Sequence, residues 1–492
     1  EPDNYSVVAQ LIQQRYQNKH YEEAASLAIA YEQAFIQHER LLKIALLILP
    51  KTNQLPWCIK KIAELPITSF SLDTGILAAQ VALEALSLDL AKTLIDHLQS
   101  TGFKDVRLNY LLAKIRLALG DNKEQIIEIL LQGNTQDPKH IQTHALLGEL
   151  LLKSGQAKHA LKHLEHFKLQ HPKNPQAMLL HARASKETGN YDEAADTMLN
   201  LIKLFPDALK WKPYTASALV QAGRVEQARQ IFAEYISLRS KQLPEHFDEA
   251  LAQLTDKIGQ VQLPKERFNW LWQMVDPDNL KSRAERLSIE NQAKYLHLFD
   301  HLLIDWLECK PHQADEVMVY FEDLSEINNT LKQQLDKGMG VVLAGAHIGP
   351  LFAIPLALEL LGFPHKWLAS TPNIASIAYK DTLISTSEKT QTEVVRLVMK
   401  ALHNKEIAAF AVDGAISPSA PQCNFENQRV TYSDFAAKMV YRTKAPSFFI
   451  SSYWRDNQIH LQLQALPKPL AHESLEDFCL HWRAAFLNLL KE

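Results

Sequence analysis

The sequence predicts two fold classes in one chain: an all-α helical repeat array over residues 1–242, a linker over 243–262 and an α/β domain over 263–492. Three observations carry this. Turn-forming and small residues recur at a fixed step in the first half. Glycine is scarce, 15 in 492 residues where about 7% is usual, which favours long helices over turn-rich β architecture. In the second half, apolar β-branched or aromatic runs alternate with helical segments, the pattern of strands separated by helices.

The fixed step is 34 residues. It separates Pro138, Pro172 and Pro206, as well as Gly155, Gly189 and Gly223, Ala160, Ala194 and Ala228, and the small residues Gly148, Ala182 and Ala216. Each position has a physical role in a stacked helix–turn–helix unit. The glycine takes positive φ in the turn. The two small positions let the helices of a pair approach closely, and the proline stops the second helix because it cannot continue the hydrogen-bond ladder. On these residues, "LLGELLLKSGQAKHALKHLEHFKLQHPKNP" and "LLHARASKETGNYDEAADTMLNLIKLFPDA" resemble the tetratricopeptide repeat. Degenerate copies in "NKHYEEAASLAIAYEQAF" and "LNYLLAKIRLALGDNKEQIIEILL" take the array back to about Tyr5. The resemblance implies a concave surface that recruits a protein segment.

The apolar fraction of 47% is that of a chain with real cores, and the net charge of −4 gives no electrostatic case for nucleic-acid binding. Cys58, Cys309, Cys423 and Cys479 match no metal-ligand spacing and read as reduced thiols. With reduced thiols the expected location is cytoplasmic, peripheral to the inner membrane, and the apolar run "IALLILP" near the start is too short to span a bilayer. His159, His163 and His166 fall at i, i+4 and i+7, but no carboxylate or cysteine accompanies them at matching spacing; His297 and His301 sit four apart, but Leu298 stands where the zinc-protease pattern needs Glu. They read as structural, and no metal is assigned.

In the α/β part "GVVLAGAH", "KWLAST", "IAAFAVDG", "APSFFISSYW" and "IHLQLQAL" read as strands, with "GPLFAIPLALELLG" and "KTQTEVVRLVMKALHNK" as helices between them. Function in such a fold belongs at the strand C-terminal ends. His347 stands at one such end and Asp413 at another. The aromatic helices Phe268–Met274 and Tyr295–Trp306 suit core packing more often than a membrane surface.

The ordered set is a strand ending in histidine, an apolar helix, a strand ending in Asp-Gly, and then "NFENQRVTYSDFAAKMVYRTKAPSFFISSYW". It resembles the lauroyl and myristoyl acyltransferases of lipid A biosynthesis, within the lysophospholipid-type acyltransferases. The resemblance covers about Leu263 to Glu492 and implies transfer of a fatty acyl group to a hydroxyl of a glycolipid or surface polysaccharide. The donor would be a thioester of acyl carrier protein or coenzyme A, with no resident cofactor. It implies His347 as the base on the acceptor hydroxyl, with main-chain N–H groups of the following helix near the oxyanion.

The family's orienting acid follows its histidine with four residues between. Here that position is Phe352, whose ring cannot accept a proton or steady an imidazolium. Either Asp413 stands in from a neighbouring strand, or the fold has lost the standard chemistry. Asp-Gly is also a common turn dipeptide. Arg429, Lys438, Arg442 and Lys444 are candidates for holding a phosphopantetheine or lipid phosphate, although a solvated helix face is the commoner explanation. Three readings therefore stand open: an active O-acyltransferase, a catalytically degenerate binding or scaffold module, and a glycan-assembly transferase.

Overall fold

The computed structural model describes the chain except residues 1–3, 36, 53, 279, 370–381, 387–388, 414–420, 427 and 492. The described residues form two compact units, Glu1–Gly189 and Asn190–Glu492.

The first unit is a solenoid of helical hairpins. Its helices begin at Tyr5, Tyr21, Glu39, Leu55, Leu72, Leu88, Val106, Lys123, Ile141, Ala157 and Pro175. The first helix of each pair thus starts 33–35 residues after the last, and the repeat reaches the chain start. The expected packing roles hold. A Cβ on Gly148 would come within 2.5 Å of the Leu164 side chain, so the helix pair crosses where only a hydrogen atom fits. Gly155 and Gly189 adopt φ of +70° and +83° in the inter-helix turns. Ala160 is fully buried. In the early copies Lys19 and Leu86 hold the same left-handed turn at φ +65° and +59°. This conformation is costly without glycine, so those copies carry a weaker sequence mark.

The histidines of this unit diverge rather than converge. His144 stacks on Phe167 with ring centroids 5.0 Å apart and on His163 at 4.9 Å. Its Nδ1 meets His163 Nε2 at 3.2 Å and its Nε2 donates to the Pro138 carbonyl at 2.6 Å. His159 and His166 instead turn to Gln156 and Gln170.

The second unit opens with helices Tyr191–Leu204, Trp211–Gln221 and Val225–Ser240, which continue the hairpin pattern. They belong with the α/β part because Tyr235 and Arg239 both bond Asp305 of the long helix Arg283–Cys309. The compact-unit division therefore falls inside the repeats rather than near residue 242. The stretch 243–262, expected as a linker, is packed: Phe247, Ala250 and Leu254 join Phe299, Leu303 and Trp306 in one apolar cluster.

The central element is a six-stranded mixed sheet. Its strands are β1 (Val341–Gly345), β2 (His365–Ala369), β3 (Leu383–Ser385), β4 (Ile407–Ala411), β7 (Ser447–Arg455) and β8 (Gln458–Ala465); β5 (Gln422–Phe425) and β6 (Gln428–Thr431) form a separate antiparallel hairpin. The order is β3-β2-β4-β1-β7-β8, parallel throughout except for β8.

All five residues of β1 are buried, and alternation sends them to opposite faces. Val342 and Ala344 pack with Val398, Val440 and Trp482. Val341 and Leu343 pack with Leu331, Ile354 and Leu358. A strand covered on both sides must be apolar at every position, which is why "VVLAG" reads as an unbroken run. The five expected strands are present, although the last two residues of "KWLAST" lie outside the described set. β3 and the β5–β6 hairpin lie outside the five expected strands, the hairpin preceding the helix Phe435–Thr443.

Candidate active site at the strand ends

β1 and β4 pair in parallel with Gly345 opposite Ala411. Two residues further along each strand are His347 and Asp413, so register alone brings these positions side by side. The main-chain N–H of His347 donates to both Asp413 carboxylate oxygens, at 3.1 and 3.0 Å, and ring Nδ1 lies 2.8 Å from Asp413 Oδ1. A carboxylate only accepts, so Nδ1 carries a proton and donates it to Asp413. The His347 side chain is 54% exposed and that of Asp413 30%. The ring therefore faces solvent from a fixed base.

Asp413 is itself held. The Val412 N–H donates to the Gly345 carbonyl at 2.9 Å, extending the sheet by one rung. The Val412 carbonyl accepts from the Ser433 N–H at 2.8 Å, and the Asp413 carbonyl accepts from the Thr431 hydroxyl at 2.8 Å. The β5–β6 hairpin thus braces the carboxylate from behind. Gly414, the second half of the Asp-Gly dipeptide, lies outside the described residues.

The turn after His347 depends on Gly349. Its φ is +62°, and a Cβ there would stand 1.8 Å from the Ser452 carbonyl oxygen of β7. The Ser452 hydroxyl also donates to the Pro350 carbonyl at 2.9 Å. β7 thereby clamps the turn that presents the imidazole.

Phe352, at the position of the family acid, packs edge-on against Trp367 of β2 with ring centroids 5.8 Å apart. Its main-chain N–H donates to Asp300 Oδ1 at 3.3 Å. Asp300 comes from the helix Arg283–Cys309 and caps the N-terminal end of the helix Ala353–Leu360. Burial pushes its pKa up, and the Phe352 N–H, His301 and His347 pull it partly back. The main-chain donor expected near an oxyanion is thus already engaged by a carboxylate. Sequence reading missed Asp300, whose signal was one acid in the apolar run "LFDHLLI".

The basic residues do not form one cluster at His347. Pro446 at the start of β7 bonds Val342 at the start of β1, so Lys444 lies at the N-terminal edge of the strands, opposite the imidazole. Arg442 shares that edge at the end of the helix Phe435–Thr443, and Lys444 rests over the Tyr441 ring at 4.2 Å. Lys438 is exposed midway along the same helix. Arg429, opposite Asn424 in the β5–β6 hairpin, is the one carried by the element that braces Asp413.

Of the aromatic helices, Phe299, Leu303 and Trp306 are fully buried, whereas the other presents Phe268 and Trp272 inward beneath Arg286. Among the described residues no helix is long and apolar enough to cross a membrane.

Known proteins resemble the chain in separate ways. The family model of subunit 3 of the anaphase-promoting complex, or cyclosome, matches residues 118–201. The Vi polysaccharide export protein VexE of Salmonella typhi is 35% identical over 359 residues, which is 73% of this chain and 54% of that protein. The chain thus spans about half the length of this relative, and the match is too long for the repeats alone. Among solved structures, MamA from Desulfovibrio magneticus RS-1 is 21% identical with a TM-score of 0.30, covering 33% of this chain and 92% of that one. YrrB, described as a TPR protein with an unusual peptide-binding site, is 16% identical with a TM-score of 0.29, covering 37% and 96%. The N-terminal region is a helical repeat solenoid of the tetratricopeptide kind, and 73% of the chain is similar to about half of a polysaccharide export protein.

Proposed function

We propose that the α/β part moves a fatty acyl group from a carrier thioester to a hydroxyl of a glycolipid or surface polysaccharide, and that the repeats recruit a protein partner to it. One observation supports this above the rest: an exposed imidazole at the end of the central strand, its Nδ1–H engaged by Asp413 at 2.8 Å. In this reading Nε2 takes the acceptor's hydroxyl proton as its oxygen attacks the thioester carbonyl. The tetrahedral adduct then expels the carrier thiolate, and the imidazolium returns the proton to sulfur. Asp413 holds the tautomer and offsets the transient positive charge, the part that Phe352 cannot play. The acyltransferase resemblance and the polysaccharide-export relative both favour a glycan or glycolipid acceptor.

The test is release of free thiol from a lauroyl thioester of acyl carrier protein or coenzyme A, with and without a glycolipid acceptor. Wild-type turnover that falls to background in His347→Ala supports the reading. No turnover, or turnover indifferent to His347, removes it. The similarity to a polysaccharide export protein also suits a glycan-assembly transferase, which would show instead as nucleotide-sugar binding. A scaffold with a degenerate site would show neither signal.

A further inference from the structure

Within the first unit, the helices Tyr5–Gln17, Glu39–Ile48, Leu72–Glu84 and Val106–Leu119 lie side by side. Between the first two is a groove of about 480 Å³. It is bordered by Tyr16, Arg40, Lys43, Ile44, Leu47 and Lys51, and among the described residues no carboxylate lines it. A smaller hollow of about 200 Å³ adjoins it, sharing Lys43 and Leu47 and reaching Arg107.

Among the described residues the one acid lining either hollow is Asp73, already bonded by Lys43 at 3.3 Å and Arg107 at 2.9 Å. Among the described residues Arg40 and Lys51 have no ion-pair partner, and Lys51 sits over the Tyr16 ring at 5.7 Å. Leu47 is 45% exposed at the seam of the two hollows. A chain of net charge −4 therefore concentrates positive charge around an open aliphatic side chain in one groove.

We infer that this groove docks an acidic segment of a protein partner that inserts an aliphatic side chain beside Leu47. This rests on, and specifies, the reading that the repeats recruit a protein. Charge complementarity selects an anionic occupant. The aliphatic floor of Ile44 and Leu47 selects a polypeptide, since a polyanionic glycan has no aliphatic side chain to bury there. A flat lipid surface cannot enter a hollow between two helices.

The test uses the full-length protein and a fluorescein-labelled twelve-residue peptide of glutamates with one central leucine, followed by anisotropy. Comparators are the same peptide without leucine, a lysine–leucine peptide and alginate. The glutamate–leucine peptide binds best, and its binding weakens with salt. The double variant Arg40→Glu/Lys51→Glu, which breaks no ion pair, weakens it about tenfold, and Leu47→Ser weakens it about fivefold. Equal binding by these variants overturns the inference, as does alginate binding as tightly with Leu47→Ser inert.

Thiol release from the lauroyl thioester is run on the same variants and stays at the wild-type rate. Loss of peptide binding and loss of acyl transfer are therefore read independently. If the variants still capture a partner once one is identified, recruitment uses another surface and this groove assignment falls alone.

Discussion

One carboxylate of Asp413 receives both the main-chain N–H and the ring Nδ1–H of His347, joining two strand ends that are 66 residues apart in sequence. Asp413→Asn keeps the shape but removes the negative charge that steadies an imidazolium. Thiol-release turnover is expected to fall about 10²–10⁴-fold, with little change in the concentration of half-saturation. A thermal melt close to wild type separates this effect from unfolding.

Gly349→Ala places a methyl group on the Ser452 carbonyl and forces alanine to φ +62°. Gly338 has φ +92° with nothing within 4 Å of its built Cβ, so Gly338→Ala meets only the conformational cost of about 1 kcal/mol. The expected order of chemical-denaturation midpoints is wild type, then Gly338→Ala, then Gly349→Ala. Only the last should also lose thiol release.

His163 is driven down to about 4, first by burial and then by His144, which is itself lowered mainly by burial. Below about pH 6.5 the unfolded chain binds protons that these folded rings refuse. The His163 contribution is thus complete above pH 6.5 and is lost as pH falls toward 4, by about 1.4 kcal/mol per pH unit, and His144 acts in the same direction. Urea melts at pH 7.5, 6 and 5 measure the slope, and His163→Leu is expected to flatten it.

Glu308 moves the other way: burial, with Asp305 adding to it, pushes its pKa up to about 8. Between pH 4.5 and 8 the folded chain holds a proton that the unfolded chain releases, so this residue lowers stability as pH rises through that window. Glu308→Gln is expected to stabilise the protein at pH 8 and to be nearly neutral at pH 4.5. Denaturation midpoints at the two values decide it.

Much of this arrangement was legible from residue types. The 34-residue step marked the later hairpins through Gly155, Gly189 and the small residue Gly148, because backbone handedness and helix crossing leave few alternatives there. The copies around Lys19 and Leu86 were faint because those residues accept a left-handed turn without advertising it. β1 announced itself through two-sided burial. The β5–β6 strands did not, being four residues each and largely polar. His347 and Asp413 could be nominated from the sequence, but their union needed the β1–β4 register. Asp300 reached the site by tertiary packing, and the lysine and arginine set scattered because the helix Phe435–Thr443 carries its last turn to the far edge of the sheet.

β1 lies between β4 and β7, and both of these neighbours are made later than β1. At synthesis rates of about 5–20 residues per second, "VVLAG" is polymerised about 3–13 s before Ile407 exists to pair with it. Through that interval the most water-averse strand of the molecule has neither edge covered. Translation pauses between Gly345 and Ile407 would lengthen the exposure, so the nascent chain is most exposed to chaperone capture or misassembly in that window.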